Sequence, residues 1–214
     1  NMALARNIVK IERWIDSCVI GVKLCPFANA VRVRPHAMRV VLATDAQCKS
    51  KELLMAACKS EIDTILKGPD PRPETTVFGV PDAILIRDFA EFLDMSVLVE
   101  ELIADASDGQ LQLAIFHPKA NAELMMYSKP VAAMMARDVD ASFVEAVDDP
   151  ANYALRSPMP IFHFLRTADV INAVTAYGPT KTNEIPDRNR DRLRAMPAAK
   201  LHKLFGFLSP KFYV

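Results

Sequence analysis

Residues 75–116, TTVFGVPDAILIRDFAEFLDMSVLVEELIADASDGQLQLAIF, contain one strand–helix–strand unit. Residues 75–80 and 111–116 are short apolar runs of the length and composition that strands favour. Residues 84–104 between them are long enough for a helix and repeat apolar side chains at helical spacing. A strand, a long helix and a second strand in succession predict an α/β fold.

Two helices and one further strand are predicted before this unit. Residues 38–43 (MRVVLA) form a short, β-branched run that is typical of a strand. Residues 4–24 carry apolar side chains at helical spacing, and a second helix runs to about Leu66 after a cap at Thr44 or Asp45. The order α-β-α-β-α-β predicts a small three-stranded β-α-β-α-β sheet with crossover connections and flanking helices.

The C-terminal part is predicted to be a helical wrap over this sheet. Residues 161–166 and 167–177 are each interpreted as helices, with Gly178 ending the second. Pro186 suits the first turn of a last regular helix over residues 187–195. Such a wrap supplies the cover that a three-stranded sheet needs.

Two segments of the second half are unusual in composition. Residues 119–147 are rich in methionine and alanine and are predicted to be an insertion. They are either core or cover, such as a lid, or a methionine-rich binding surface. Residues 201–213 carry many large apolar side chains, which predicts docking on this chain or a homodimer through the tail.

The composition excludes several classes of protein. The 214 residues are 51% hydrophobic, and 26 basic side chains balance 26 acidic ones. A disordered chain has fewer apolar residues and more net charge. No window of about 18 apolar residues suggests a membrane span, and a protein that coats nucleic acid would carry a basic excess. A single domain over residues 1–214 is expected, with no nucleic-acid or membrane partner.

The cysteines point to a reducing compartment. Cys18, Cys25, Cys48 and Cys58 form no C-x-x-C pair, and the N-terminal residues do not resemble a secretory signal. Free thiols and a cytoplasmic location are therefore predicted.

Standard catalytic fingerprints are absent from the sequence. There is no G-x-S-x-G, P-loop, G-x-G-x-x-G or H-E-x-x-H motif. The chain has only six glycines, which is few for glycine-rich loops that bind phosphate. Candidate residues must therefore be argued one at a time.

Cys25 and His117 are the first two catalytic candidates. Cys25 follows the N-terminal helix and needs a cation from elsewhere to become a nucleophile, because a helix C-terminus carries partial negative charge. The alternative is a buried inert thiol. His117 follows the predicted strand 111–116, where α/β sheets often place ligand sites. The alternative is a histidine that is hydrogen-bonded to a loop carbonyl.

Residues 149–166 are the densest polar segment. Two arginines in it suit a carboxylate or phosphate, a histidine suits acid–base chemistry, and a helix over 161–166 would place His163 and Arg166 on one face. The alternative is a structural loop held by arginine–carbonyl bonds. The candidates are Asp149 and His163 as catalytic residues, with Asn152, Arg156, Ser157 and Arg166 binding substrate.

A basic segment follows near the end of the chain. Arg188 and Arg192 are four residues apart, so a helix would place them along one edge. The alternative is a solvated helix face. Arg188 and the neighbouring Asn189 are taken as substrate-binding candidates. No cofactor is expected, and no metal site either, because the spacing of Cys25, His117 and His163 does not require one.

Five short motifs in order resemble the domain-of-unknown-function 1415 family. The likeness covers about residues 8–195, departs between Pro118 and Asp148 and in the tail, and implies an α/β protein of the cytoplasm with no established activity. The motifs are Leu24-Cys25-Pro26-Phe27-Ala28, Phe116-His117-Pro118, Asp148-Asp149-Pro150-Ala151-Asn152-Tyr153, Arg156-Ser157-Pro158 through Arg166, and Ile185-Pro186 through Asn189.

Three functional hypotheses follow. The first is an enzyme for a small anionic substrate, with Cys25 as nucleophile or redox thiol and His117 or His163 as acid or base. The second is a non-catalytic module that binds a small anion or a protein and needs the arginines but no reactive thiol. The third is that the motifs only join the C-terminal wrap to the sheet.

Overall fold

A four-stranded mixed sheet forms the centre of the fold. The computed structural model describes residues 2–81, 84–138 and 149–206. The strand order is β1-β2-β4-β3, with β1 parallel to β2 and β4 antiparallel to both of its neighbours. The strands are β1 Met38–Leu42, β2 Thr75–Gly79, β3 Leu111–Phe116 and β4 Ile161–Arg166.

The α/β class is confirmed, but the prediction of three strands is wrong. Ile161–Arg166 is a central strand and not a helix. Six residues are too few for helical periodicity to be told from strand alternation. Phe162 and Phe164 point to one face and Ile161 to the other, and all three are fully buried, which suits a strand covered on both sides.

The helices lie close to their predicted positions. Thr167–Tyr177 matches its predicted range, and Lys51–Lys67 begins later than predicted because the Ser50 side chain caps it by accepting from the Leu53 N–H. The helices are α1 Met2–Trp14, α2 Ala28–Arg32, α3 Lys51–Lys67, α4 Phe89–Ser107, α5 Lys129–Asp138, α6 Thr167–Tyr177, α7 Pro179–Asn183, α8 Ile185–Arg194 and α9 Ala198–Phe205, with a π-helix over Ile15–Ile20.

Helices cover both faces of the sheet. On one face, α3, α4 and α5 pack over Phe78, Phe162 and Phe164. On the other face, α1, the π-helix, α8 and α9 pack over Val77 and Ile161. The second layer joins the two ends of the described chain, and this junction positions the candidate site.

Gly79 lets α1 approach β2 closely. A Cβ atom at this position would lie 2.6 Å from Ile11 Cδ1 and 2.8 Å from Leu42 Cδ2. Both distances are shorter than carbon atoms tolerate, so a side chain here would force the Ile11 and Leu42 side chains to shift.

The insertion and the tail are each described in part. Helix α5 packs on α4 through ion pairs of Arg137 with Asp94 and Lys129 with Glu100. Residues 139–147 of the predicted insertion and 207–214 of the tail lie outside the described residues. Docking of the tail on this chain is supported at Phe205, which is buried and stacks on Tyr153 with 4.8 Å between ring centroids.

Candidate functional site

A cavity of about 460 Å³ lies where the turn after the π-helix meets α6 and α8. Three of its side chains are cationic, and the described residues that line it include no carboxylate. The volume falls in the range of small-molecule sites. The lining residues are Ile20, Lys23, Cys25, Pro26, Asn29, Tyr177, Arg188 and Arg192.

A second concavity of about 510 Å³ lies on the outer surface of α3. Its charged side chains already pair with one another, since Lys59 and Lys67 both bind Asp63. Such exposed pairs are ordinary features of a solvated helix. The chemistry therefore points to the cavity beside Cys25.

The turn before Cys25 is held by the far end of the chain. Lys23 has a left-handed backbone with φ 60°, which is uncommon for a residue other than glycine. Asn189 Nδ2 donates to the Leu24 carbonyl at 2.7 Å, and Arg192 Nη1 donates to the carbonyls of Val22 at 2.9 Å and Lys23 at 3.0 Å. These bonds satisfy carbonyls that the helix end leaves free.

Arg188 has most of its hydrogen-bonding capacity unused. Its Nη1 donates to the Tyr177 hydroxyl at 2.8 Å, and this is the one hydrogen bond of the guanidinium within the described residues. Its Nε is buried and has no partner there. A guanidinium carries five N–H donors, so Arg188 can still bind an oxyanion.

Tyr177 lines the cavity next to Arg188. Its hydroxyl oxygen accepts from Arg188, which leaves the hydroxyl proton for another acceptor. Its ring packs edge-on against Phe27 with 5.5 Å between centroids. Tyr177 therefore offers a fixed hydroxyl donor beside an apolar ring.

The thiol of Cys25 lies in this cavity and is neutral at pH 7. Burial raises its pKa above 9.0, and hydrogen bonds from the backbone of Phe27 and Ala28 oppose that rise only in part. Desolvation disfavours the thiolate. Cys25 and Arg188 thus line one cavity, but no cation is among the causes that shift the pKa of the thiol, so the thiol is not a ready nucleophile.

His117 lies under α4, on the other side of the sheet from α8. The side chain is fully buried and stacks on Phe92 with 4.9 Å between ring centroids. Nε2 lies 3.1 Å from the Ile86 carbonyl and Nδ1 accepts from the Lys119 N–H at 3.0 Å. Burial lowers the pKa of His117 to about 4. Both ring nitrogens thus have backbone partners.

His163 and Arg166 point to opposite faces of the sheet, because their spacing of three falls in strand β4 and not in a helix. Thr75 Oγ1 donates to the Phe164 carbonyl at 2.9 Å. Because the Thr75 hydroxyl proton is already donated, His163 Nε2 carries the N–H that donates to the Thr75 oxygen in their close contact. Burial lowers the pKa of His163 to about 4.

Arg166 binds the loop that precedes β2. Its Nε donates to the Pro73 carbonyl at 2.9 Å, and Nη2 donates to the Arg72 carbonyl at 2.8 Å. A carboxylate oxygen of Asp169 lies 3.9 Å from Nε. These contacts join β4 to the loop.

Asp149 and Asn152 hold the loop before β4. Asp149 forms an ion pair with Arg194 and accepts from the Ala151 N–H at 2.9 Å, and the Arg194 contact lowers the pKa of its carboxyl group. Asn152 Oδ1 accepts from the Ala122 N–H at 2.8 Å. Both side chains therefore have a structural function.

Arg156 and Ser157 are buried in the same loop. Arg156 Nε donates to the Ala120 carbonyl at 3.3 Å, and its guanidinium lies 5.3 Å from the centre of the Tyr153 ring. The Ser157 hydroxyl donates to the Met159 carbonyl at 2.6 Å. The polar segment 149–166 thus connects the loop, the insertion and the sheet.

Two of the predicted site residues, Cys25 and Arg188, line the same cavity, and Asn189 supports its wall. The contacts of the other candidates lie elsewhere, and their predicted catalytic and binding roles stay predictions. Sequence reasoning missed Lys23, Asn29 and Tyr177 as lining residues. The four-residue spacing of Arg188 and Arg192, which places both on one edge of a helix, was the one signal in the sequence that pointed to this cavity. Among the described residues, no three metal-ligating side chains cluster.

Fold and cavity together define an α/β protein whose mixed sheet lies between two helical layers, with a cationic cavity between the turn at Cys25 and α8. The chain belongs to the family described as "Protein of unknown function (DUF1415)", which it matches over residues 6–125 and 139–203. This confirms the resemblance seen in the sequence motifs. No curated protein and no solved structure matches the chain.

The matched ranges place the cavity within the family's part of the chain. Both the turn at Cys25 and helix α8 lie inside them, whereas residues 126–138, which include α5, fall between them. Among the described residues, no helix is long and apolar enough to cross a membrane.

Proposed function

We propose that this protein binds a small anionic molecule, a carboxylate or a phosphate, in the cavity beside Cys25. The observation that carries the proposal is Arg188, which lines the cavity and whose guanidinium makes one hydrogen bond within the described residues. An oxyanion in the cavity would accept hydrogen bonds from the guanidinium N–H groups that Tyr177 does not use.

The charges around the cavity support the same conclusion. Lys23, Arg188 and Arg192 line it together, and within the described chain none of the three has a carboxylate partner. Like charges that share a concave surface repel one another and attract a counter-ion. A bound anion would offset that repulsion.

The walls of the cavity favour an organic anion. Ile20, Pro26 and the Tyr177 ring contribute apolar surface next to the cations. Ligand sites commonly combine such a surface with a few polar groups that fix the orientation of the ligand.

Binding is supported better than thiol catalysis. A nucleophilic cysteine needs a base or a depressed pKa, and the pKa of Cys25 is raised. Among the described residues that line the cavity there is no histidine. His117 and His163 are the predicted bases, and their ring nitrogens contact Ile86, Lys119 and Thr75 instead.

Substituting Arg188→Gln is expected to weaken anion binding about 10- to 100-fold, because a charge-assisted hydrogen bond contributes about 1.5 to 3 kcal/mol. Binding is measured by NMR titration of the full chain at low salt with benzoate and with phenyl phosphate as probes. The matched control is Arg190→Gln on the same helix, since Arg190 pairs with Asp187 and does not line the cavity.

Equal weakening by the Arg190→Gln control would show a general charge effect and contradict the site. Wild-type protein that binds neither probe would overturn the proposed function. Thermal melts of both variants establish that the fold is retained.

Cys25 is expected to react slowly with iodoacetamide at pH 7, with a rate that rises in proportion to hydroxide concentration through pH 9, because burial holds its pKa above that value. Peptide mass spectrometry measures the rate at each cysteine. Cys58 is the internal reference, since it is fully buried and its pKa is raised to about 12. A rate at Cys25 that levels off below pH 8 would reveal a thiolate and favour the enzyme hypothesis.

A further inference from the structure

We infer that the ligand of this cavity is a dianion of the phosphate monoester class, with a small apolar group attached to the phosphate. The inference rests on the proposed function, because it assigns the chemical class of the anion that the cavity binds.

The number of cations is the first argument. Lys23, Arg188 and Arg192 supply three positive charges around one cavity, and no carboxylate lies among its described lining residues. A monocarboxylate would neutralise one of these charges, whereas a phosphate monoester carries between 1.5 and 2 negative charges at neutral pH, on the order of the value for phosphorylated side chains. The dianion therefore neutralises more of the positive charge of the cavity than a monocarboxylate would.

The direction of the donors is the second argument. Arg188 projects from α8, Tyr177 ends α6 and Lys23 lies in the turn after the π-helix, so the donors reach the cavity from three separate elements. A carboxylate has two oxygens in one plane, whereas a phosphate monoester has three terminal oxygens that diverge from one atom. Three divergent acceptors suit donors that come from three separate elements.

The nature of the donors is the third argument. Arg188 Nη1 occupies a lone pair of the Tyr177 oxygen, so the hydroxyl is set to donate its proton to a ligand. Arginine, lysine and tyrosine here all present hydrogen-bond donors, and ionised oxyanions accept without donating. A neutral polar molecule would leave several of these donors unsatisfied.

The volume is the fourth argument and indicates an ester rather than inorganic phosphate. The cavity of about 460 Å³ is much larger than one phosphate group, which occupies on the order of a few water volumes of about 30 Å³ each. The apolar side chains Ile20 and Pro26 line the remaining space. This surface suits a small organic group.

The test compares phenyl phosphate, phthalate and benzoate as probes of the full chain at pH 7.5, by isothermal titration calorimetry at low salt. Phenyl phosphate is expected to bind about tenfold or more tightly than benzoate, since it adds at least one charge-assisted hydrogen bond. It is also expected to bind more tightly than phthalate, a dianion whose two charges lie on separate planar groups.

Tyr177→Phe serves as a second variant, because it removes one hydroxyl and keeps the ring that packs on Phe27. It is expected to weaken phenyl phosphate binding about 2- to 10-fold, the effect of one hydrogen bond. Loss of affinity for phenyl phosphate in both Tyr177→Phe and Arg188→Gln, with Arg190→Gln unchanged, would support the assignment.

Two other outcomes separate the inference from the proposed function. If benzoate or phthalate binds as tightly as phenyl phosphate and Arg188→Gln abolishes that binding, the anion site stands and the phosphate class is overturned. If none of the three probes binds the wild-type chain, both proposals fail together.

Discussion

Replacing Phe162 with alanine is expected to lower the free energy of unfolding by about 3 to 5 kcal/mol, the usual cost of removing a fully buried phenyl ring. Phe162 is 0% exposed in central strand β4 and packs against Phe92 with 5.1 Å between ring centroids. Its backbone pairs with Phe78 on β2 and Ile115 on β3. The substitution would therefore leave an empty space between the sheet and α4, where the surrounding side chains have little freedom to fill it.

Urea denaturation of the variant and of wild type measures the change. Leu165→Ala in the same strand is the matched control, because Leu165 is only partly buried and should cost clearly less. Equal and small losses in both variants would contradict the central position of β4.

Acidification from pH 7 to pH 4.5 is expected to destabilise the fold through the buried His117 and the partly buried His163. Burial lowers the pKa of both His117 and His163 from 6.5 to about 4. Between pH 6.5 and pH 4 the two histidines bind protons in the unfolded chain but stay neutral in the folded chain. The free energy of unfolding is therefore unaffected by the titration of these histidines above pH 6.5 and decreases as the pH falls toward 4. Each histidine should then cost about 2 to 3 kcal/mol at pH 4.5.

The pH dependence of unfolding in urea, measured for three single variants, assigns this loss. His117→Asn and His163→Gln retain polar side chains and should each reduce the slope of unfolding free energy against pH by about one proton, or 1.4 kcal/mol per pH unit. His36→Asn is the control, since His36 is exposed. Wild-type and variant slopes that coincide between pH 6 and pH 4.5 would show that these histidines are not the cause.

Local patterns in the sequence predicted most of the elements correctly. Strand Leu111–Phe116 and helix Thr167–Tyr177 have the predicted bounds. The alternation of the strand and the glycine that ends the helix are each encoded within a few residues. Strand Ile161–Arg166 was missed because its identity depends on pairing with β2 and β3 on both sides. Pairing between distant segments leaves no signal in a six-residue window.

The candidate site was predicted in separate pieces. Cys25 and Arg188 were each singled out for their chemistry, but no periodicity indicates that they share a cavity, because the turn and α8 meet only in the folded chain. Tyr177 was predicted only as the end of a helix, which it also is. Its role became visible through the hydrogen bond from Arg188.

The order of strands in the sheet also fixes an order of events during synthesis. A ribosome releases β1, β2 and β3 well before β4, yet β4 is the strand that joins β3 to the other two. Until about residue 166 has emerged, β2 has an unpaired edge and β3 has no partner strand in this sheet. The growing chain therefore exposes strand edges that invite wrong pairing, and its sheet is completed only after β4 has been synthesised.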